Sequence, residues 1–137
     1  MQLHWFCTIL FSVTLLFGCS KDSAETVNEE IDMTATVLFS GSFSSEVHTT
    51  SGKVSVVKTT DGKNLLRLEG LISDGGPDLR LYLAEDKKAT NAIEIVTKPK
   101  NGTYDLPIPA GLDFKKHKYV LIWCKQYTVL FGSAELK

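Results

Sequence analysis

Beyond residue 36 the chain is written in short apolar runs that alternate with polar positions and stop at turn-forming residues. Val54 and Val56 alternate with Lys53, Ser55 and Lys58, the period of two expected of a half-buried strand. Val37-Leu38-Phe39 and Phe43 precede this run and predict an opening strand. Asp61-Gly62 is a strong hairpin signal, and Leu65 to Leu68 follows it as the return strand. Asp74-Gly75-Gly76-Pro77-Asp78 is a loop by composition. It leads into Leu79-Arg80-Leu81-Tyr82-Leu83, where Arg80 and Tyr82 share the face opposite the leucines. Ile93 to Val96, Tyr104 to Ile108 after an Asn101-Gly102 turn, Val120 to Cys124 and Thr128 to Phe131 complete the pattern. Pro107 has no N–H to give a ladder, so it predicts an edge strand or a strand end. Helical signals are confined to one possible turn over Asp86 to Asn91. Seven or eight short strands with regular turn signals predict an all-β domain over 37–137, an antiparallel β-sandwich or a related barrel.

The first 36 residues follow another pattern. Trp5 to Phe17 is apolar apart from small or hydroxylated residues such as Thr8, Ser12 and Thr14, and only His4 and the amino terminus supply charge before it. A transmembrane helix needs about 20 apolar residues, so this run has the length of a secretory signal instead. Leu16-Phe17-Gly18-Cys19 resembles the bacterial lipoprotein box, with Phe17 a less usual occupant of its position. The reading is a signal peptide over 1–18, cleavage before Cys19, and acylation of Cys19; the alternative is an ordinary secretory signal followed by an unrelated cysteine. Two or more acyl chains hold a protein stably in a bilayer. The expected setting is therefore the cell envelope, and Ser20 after the lipidated cysteine favours the outer membrane, with the side faced left open.

Residues 19–36 read as a tether. Lys21 stands there against Asp22, Glu25, Glu29, Glu30 and Asp32, with no aromatic residue. Such a segment buries too little apolar surface to offset its ordering entropy. Its acidity also repels anionic headgroups, holding a domain off the membrane. The whole chain carries a net charge of −1, so the domain beyond the tether is mildly basic. Lys115, Lys116 and Lys118 form a local patch. No aromatic-interleaved basic stripe accompanies them, and they read as a solvated turn rather than a nucleic-acid site. No internal repeat and no second domain are visible.

Candidate chemistry then narrows to one residue. Of three cysteines, Cys7 lies in the leader and Cys19 is the lipidation candidate, which leaves Cys124 as the free thiol of the mature protein. In a strand, Val120, Ile122 and Cys124 share one face while Leu121 and Trp123 share the other. Both faces stay apolar until Lys125, which predicts a central strand with Cys124 near the rim of the core and partly reachable. Cys124 is then either a small buried hydrophobe, the usual state of a free cysteine, or a redox thiol or axial ligand. His48 is the best second residue and otherwise a loop histidine bonded to backbone; His117, among lysines, reads as exposed. Asp78 is either a turn residue satisfying backbone N–H groups or a carboxylate ligand. No pair of Cys or His has metal-ligand spacing. Nucleophile-elbow, phosphate-loop and zinc-protease motifs are missing, so a classical enzyme is not the expectation.

Three separated segments carry a family resemblance. Phe39-Ser40-Gly41-Ser42-Phe43 with His48 and Gly52-Lys53-Val54, then Gly76-Pro77-Asp78-Leu79-Arg80-Leu81-Tyr82-Leu83, then Ile122-Trp123-Cys124 with Phe131-Gly132-Ser133-Ala134-Glu135-Leu136, resemble the opening, central and closing elements of the DM-thirteen domain. The resemblance spans the chain from about Thr36 to Lys137. It implies a β-sandwich built around a characteristic cysteine, here Cys124, and a part in electron transfer at the cell surface. On that reading Cys124 is the redox thiol or the ligand of a haem or metal, His48 and Asp78 are candidate cofactor contacts, and the partner is a redox protein or small ligand in the envelope. The competing expectation is a non-catalytic binding module for a protein, glycan or small ligand, with a structural Cys124.

Overall fold

A computed structural model describes residues 33–137. The predicted signal peptide, the acylated Cys19 and most of the acidic tether lie outside the described residues. Nine strands follow in chain order, β1 (Thr36–Ser42), β2 (Ser44–Ser45), β3 (Thr50–Lys58), β4 (Asn64–Ser73), β5 (Leu79–Ala84), β6 (Ile93–Thr97), β7 (Gly102–Pro107), β8 (Tyr119–Cys124) and β9 (Val129–Glu135). They form a four-stranded sheet in the order β1-β3-β4-β7 and a five-stranded sheet in the order β2-β9-β8-β5-β6. Every strand pairing is antiparallel. The fold is an all-β sandwich. The strand missing from the sequence reading is β2, where the chain passes Phe43 and crosses from one sheet to the other.

The period-two pattern explains the core. Val54 and Val56 of β3, Leu66 and Leu68 of β4, Leu79, Leu81 and Leu83 of β5, and Val120 and Ile122 of β8 all point inward into one cluster. Each such residue taken from water contributes about 1.5–3 kcal/mol, which is the main force pressing the sheets together. One seam of the sandwich is closed by backbone. Ser40 N–H donates to Lys137 O at 3.1 Å, and Lys137 N–H donates to Ser40 O at 2.9 Å. Phe39 packs its ring 5.7 Å from that of Phe114, plugging the core at the end away from the loop after β4. Pro107 ends β7, the outermost strand of its sheet, where a missing N–H costs no ladder bond.

The turn signals resolve as expected at Asp61-Gly62, where Thr59 N–H donates to Lys63 O and Gly62 has a φ of 85°. The expected helical turn over Asp86 to Asn91 does not form. Ala89 and Asn91 both have positive φ, at 61° and 48°, which a right-handed helix excludes. Asp86 organises the segment as a loop instead, its carboxylate accepting the backbone N–H groups of Lys88 and Thr90 and the Thr90 hydroxyl.

On the outer face of the four-stranded sheet, Ser55, Arg67 and Asp105 stand in one row across β3, β4 and β7. All three are buried. Arg67 and Asp105 form a two-pronged pair, Nε to Oδ1 and Nη2 to Oδ2, each at 2.8 Å. A fork of this kind satisfies a guanidinium and a carboxylate together, which is what allows both charges to leave water.

Candidate functional site

Three loops meet at one end of the sandwich and bring the candidate residues into one region. They are 46–49 between β2 and β3, 74–78 between β4 and β5, and 125–128 between β8 and β9. Asp74 ties the first two together. Its N–H donates to Thr49 O at 3.0 Å, and its Oδ2 accepts the Thr49 N–H at 2.9 Å. Lys125 N–H donates to Asp78 O at 2.9 Å, which joins the second loop to the third. Asp74 was not singled out from the sequence, although it opens the Asp-Gly-Gly-Pro-Asp loop.

Cys124 ends β8 on its core-facing side, opposite Leu79 of β5 and Val129 of β9. The expectation that it lies at the rim, partly reachable, is overturned. Its relative exposure is 0 %, and it belongs to the same cluster as Leu79, Ile122 and Phe131. The polar step at Lys125 marks where the strand ends, not where the core ends, because the loops continue over it. Gly76 shows how closely they fit. A side chain there would begin 2.9 Å from Leu79 Cδ2 and 3.0 Å from Phe131 Cζ, so the loop backbone rests directly on residues that pack with Cys124.

His48 lies above the same place. Its ring is 3.9 Å, centroid to centroid, from that of Phe131, tilted by 36°. Its Nδ1 is 3.7 Å from Asp74 Oδ2, and its backbone N–H donates to Phe131 O at 3.4 Å. The imidazole is 43 % exposed, so it is a solvent-facing cap on a buried phenyl ring. Phe131 therefore links the two candidates, packed with Cys124 in the core and carrying His48 outside.

Asp78 serves two structural roles at once. Its carbonyl receives Lys125 N–H, and its Oδ1 accepts Arg80 Nε–H at 2.6 Å. Arg80 Nη1 reaches Glu94 Oε1 at 2.9 Å, so the guanidinium is clamped between two carboxylates. Hydrogen bonding to Asp78 is the main cause that raises the Arg80 pKa above its ordinary value. The Asp78 carboxylate is thus turned toward Arg80 on the outer face.

His117 differs from its reading as exposed. It is half-buried, its N–H donates to Asp113 O at 2.8 Å, and its Nδ1 is buried without a hydrogen-bond partner. The lysines beside it are paired, Lys116 with Glu85 at 3.1 Å and Lys118 with Glu135 at 2.9 Å. Those pairs spread the local positive charge onto carboxylates that the linear sequence places far away.

The donor set does not suit a protein-built metal centre. Among the described residues no group of three or more His, Cys, Asp or Glu is placed to hold a metal ion. A single cysteine ligand would need its sulfur uncovered, whereas Cys124 is enclosed. In this arrangement the groups of the described residues do not fit a haem or metal.

No curated protein and no solved structure matches the chain. Residues 42–136 match the family described as Electron transfer DM13, a span that holds β3 to β9, the three loops and Cys124. The match covers well over half the sequence, and the chain belongs to the electron transfer DM13 family.

Proposed function

We propose that this protein is a lipid-anchored envelope protein whose single domain takes part in electron transfer, using Cys124 as its redox thiol. The anchor is acylated Cys19, the acidic tether spaces the domain from the bilayer, and the outer membrane is the expected site. The observation that carries the redox reading is the setting of Cys124. The family's closing element delivers it to the one end of the sandwich where His48, Asp74 and the Gly75-Gly76 loop converge. Because the sulfur is enclosed, exchange with a partner protein or small redox ligand requires loop 74–78 to lift away. Segments with few buried apolar side chains open locally at a fraction of the cost of global unfolding. Gly75, Gly76 and Pro77 are all exposed, and they bury little of their own.

The 0 % exposure of Cys124 favours one second reading, a non-catalytic binding module in which this cysteine is a small core hydrophobe. Thiol labelling of the intact protein separates the two. The redox reading expects Cys124 to react with a small maleimide under native conditions faster than the protein unfolds, and faster again in Gly76→Ala, whose methyl group displaces the cover. A Cys124 that labels only at the global unfolding rate in both proteins sinks the redox reading and leaves the second. An absorption spectrum of protein made in its native compartment is the companion measurement. A visible band lost in Cys124→Ser would show that a prosthetic group reaches the sulfur after all.

A further inference from the structure

The outer face of the five-stranded sheet carries a row of aromatic side chains. Strand register places Tyr119, Leu121 and Trp123 of β8 beside Ala84, Tyr82 and Arg80 of β5 in three successive pairs. Leu121 is fully buried at the centre, while Tyr82, Trp123 and Tyr119 are half-buried and keep part of each ring in solvent. Trp123 and Tyr82 are diagonal neighbours, as are Tyr82 and Tyr119, so their side chains leave the sheet ~7–8 Å apart. The three rings form a zigzag that runs along the two strands.

Two features surround the rings. Charges on this face are matched in place: Arg80 with Asp78 and Glu94, Lys87 with Glu46, and Lys118 and Lys137 with Glu135, four cations against four carboxylates. They therefore offer hydrogen-bond donors and acceptors without a net field, which disfavours a strongly charged partner. At the Tyr119 end the face opens into a cleft of about 470 Å³. Tyr119, Ser44, Ser133, Glu135 and Lys87 line it on this sheet, and Ser40 and Ser42 line it across the seam. The volume lies in the range of small-ligand sites, but the lining is hydroxyl-rich rather than apolar. Tyr119 belongs to both features, with Lys118 Nζ 5.4 Å from its ring centroid on one side.

We infer that this face is a binding surface for a neutral oligosaccharide. A sugar ring presents C–H groups on its faces and hydroxyls around its rim. The first stack on half-exposed aromatic rings, as Trp123 and Tyr82 allow, and the second need paired polar groups beside them, as Arg80, Glu94 and the serine cleft supply. Flat rings bring contact area at small entropic cost, and they keep a polar atom for a hydrogen bond. A chain of sugars stacked on Trp123 and Tyr82 would end with a terminal residue in the cleft beside Tyr119. The surface does not involve Cys124, so the inference stands apart from the redox reading.

Titration of the full-length protein in detergent with cellohexaose, chitohexaose and maltohexaose tests it, using indole fluorescence and amide shifts. At least one hexasaccharide is expected to bind with a Kd of about 1 mM or tighter, perturbing Tyr82, Trp123 and Tyr119. Trp123→Ala and Tyr82→Ala should each weaken binding about tenfold, while Ile72→Ala, an exposed position on the other sheet, leaves it unchanged. Amide shifts on the wild-type protein keep the test valid where a variant fails to fold. The inference is overturned if no neutral hexasaccharide binds by about 10 mM, if the shifts map elsewhere, or if only a sulfated hexasaccharide binds.

Discussion

Single residues in this protein carry charge in two contrasting ways. Arg67 and Asp105 are buried and matched, so removing Asp105 takes the two-pronged carboxylate acceptor away from a buried guanidinium. Asp105→Ala should cost about 3–5 kcal/mol in a urea melt, whereas an apolar pair replacing both residues should be close to neutral. Equal losses in the single and double variants would show that the pair itself holds the sheet. Asp61 represents the exposed case. Hydrogen bonds from Lys63 first, and then from the Thr59 hydroxyl, lower its pKa from 3.8 to about 2. The folded value lies below the unfolded one, so the contribution is fully present above the unfolded pKa. It is lost as pH falls through the window from about 4 to 2. Asp61→Asn should therefore flatten the acid limb of the stability curve in that window by lowering the plateau near neutrality slightly, with stability below the folded pKa unchanged. A steeper acid limb in the variant would refute the assignment.

The strand elements were legible because burial on one face leaves a period of two in the sequence. Leu79, Leu81 and Leu83 reveal their inward face, and Arg80 and Tyr82 their outward one, without any structure. Bulges were not legible, since an extra residue changes register without changing composition. The bulge in β3 between Ser51 and Lys53 turns on Gly52, whose φ is 117°. A Cβ there would meet Gly70 O at 2.8 Å and Leu71 Cα at 2.9 Å, both backbone atoms that cannot swing aside. Gly52→Ala should cost about 2–3 kcal/mol by thermal or urea denaturation, combining a disfavoured φ with a steric clash. A loss under about 0.5 kcal/mol would mean that the bulge is free to relax.

At the scale of the molecule, the described domain and the proposed anchor can be tested separately. Every described strand lies beyond residue 35, and the sandwich closes on itself through Ser40 and Lys137. Membrane attachment is expected to depend on Cys19 alone. Radiolabelled palmitate should enter the wild-type protein in cells, and Cys19→Ala should lose both the label and the size shift of processing while the domain keeps its melting temperature. Label retained in that variant would place the acyl chain elsewhere. The proposed redox role rests on the loop end, and the proposed sugar-binding face draws on neither that end nor the anchor.

The sequence by itself determined the β class, the position of every strand but β2, the faces of β5 and β8 and the family, because each is written in local alternation, turn residues or short motifs. Only the tertiary structure decided the state of Cys124. A strand shows which side a residue faces, but enclosure depends on what the rest of the chain lays over it. Here loop residue Gly76, far from Cys124 in sequence, lies against Leu79 and Phe131, which share the buried cluster with Cys124. The partners of His48 were decided the same way. Asp74 and Phe131 reach His48 through contacts that no spacing along the chain records, whereas the Asp78–Arg80 pair lies at the two-residue spacing of one strand face.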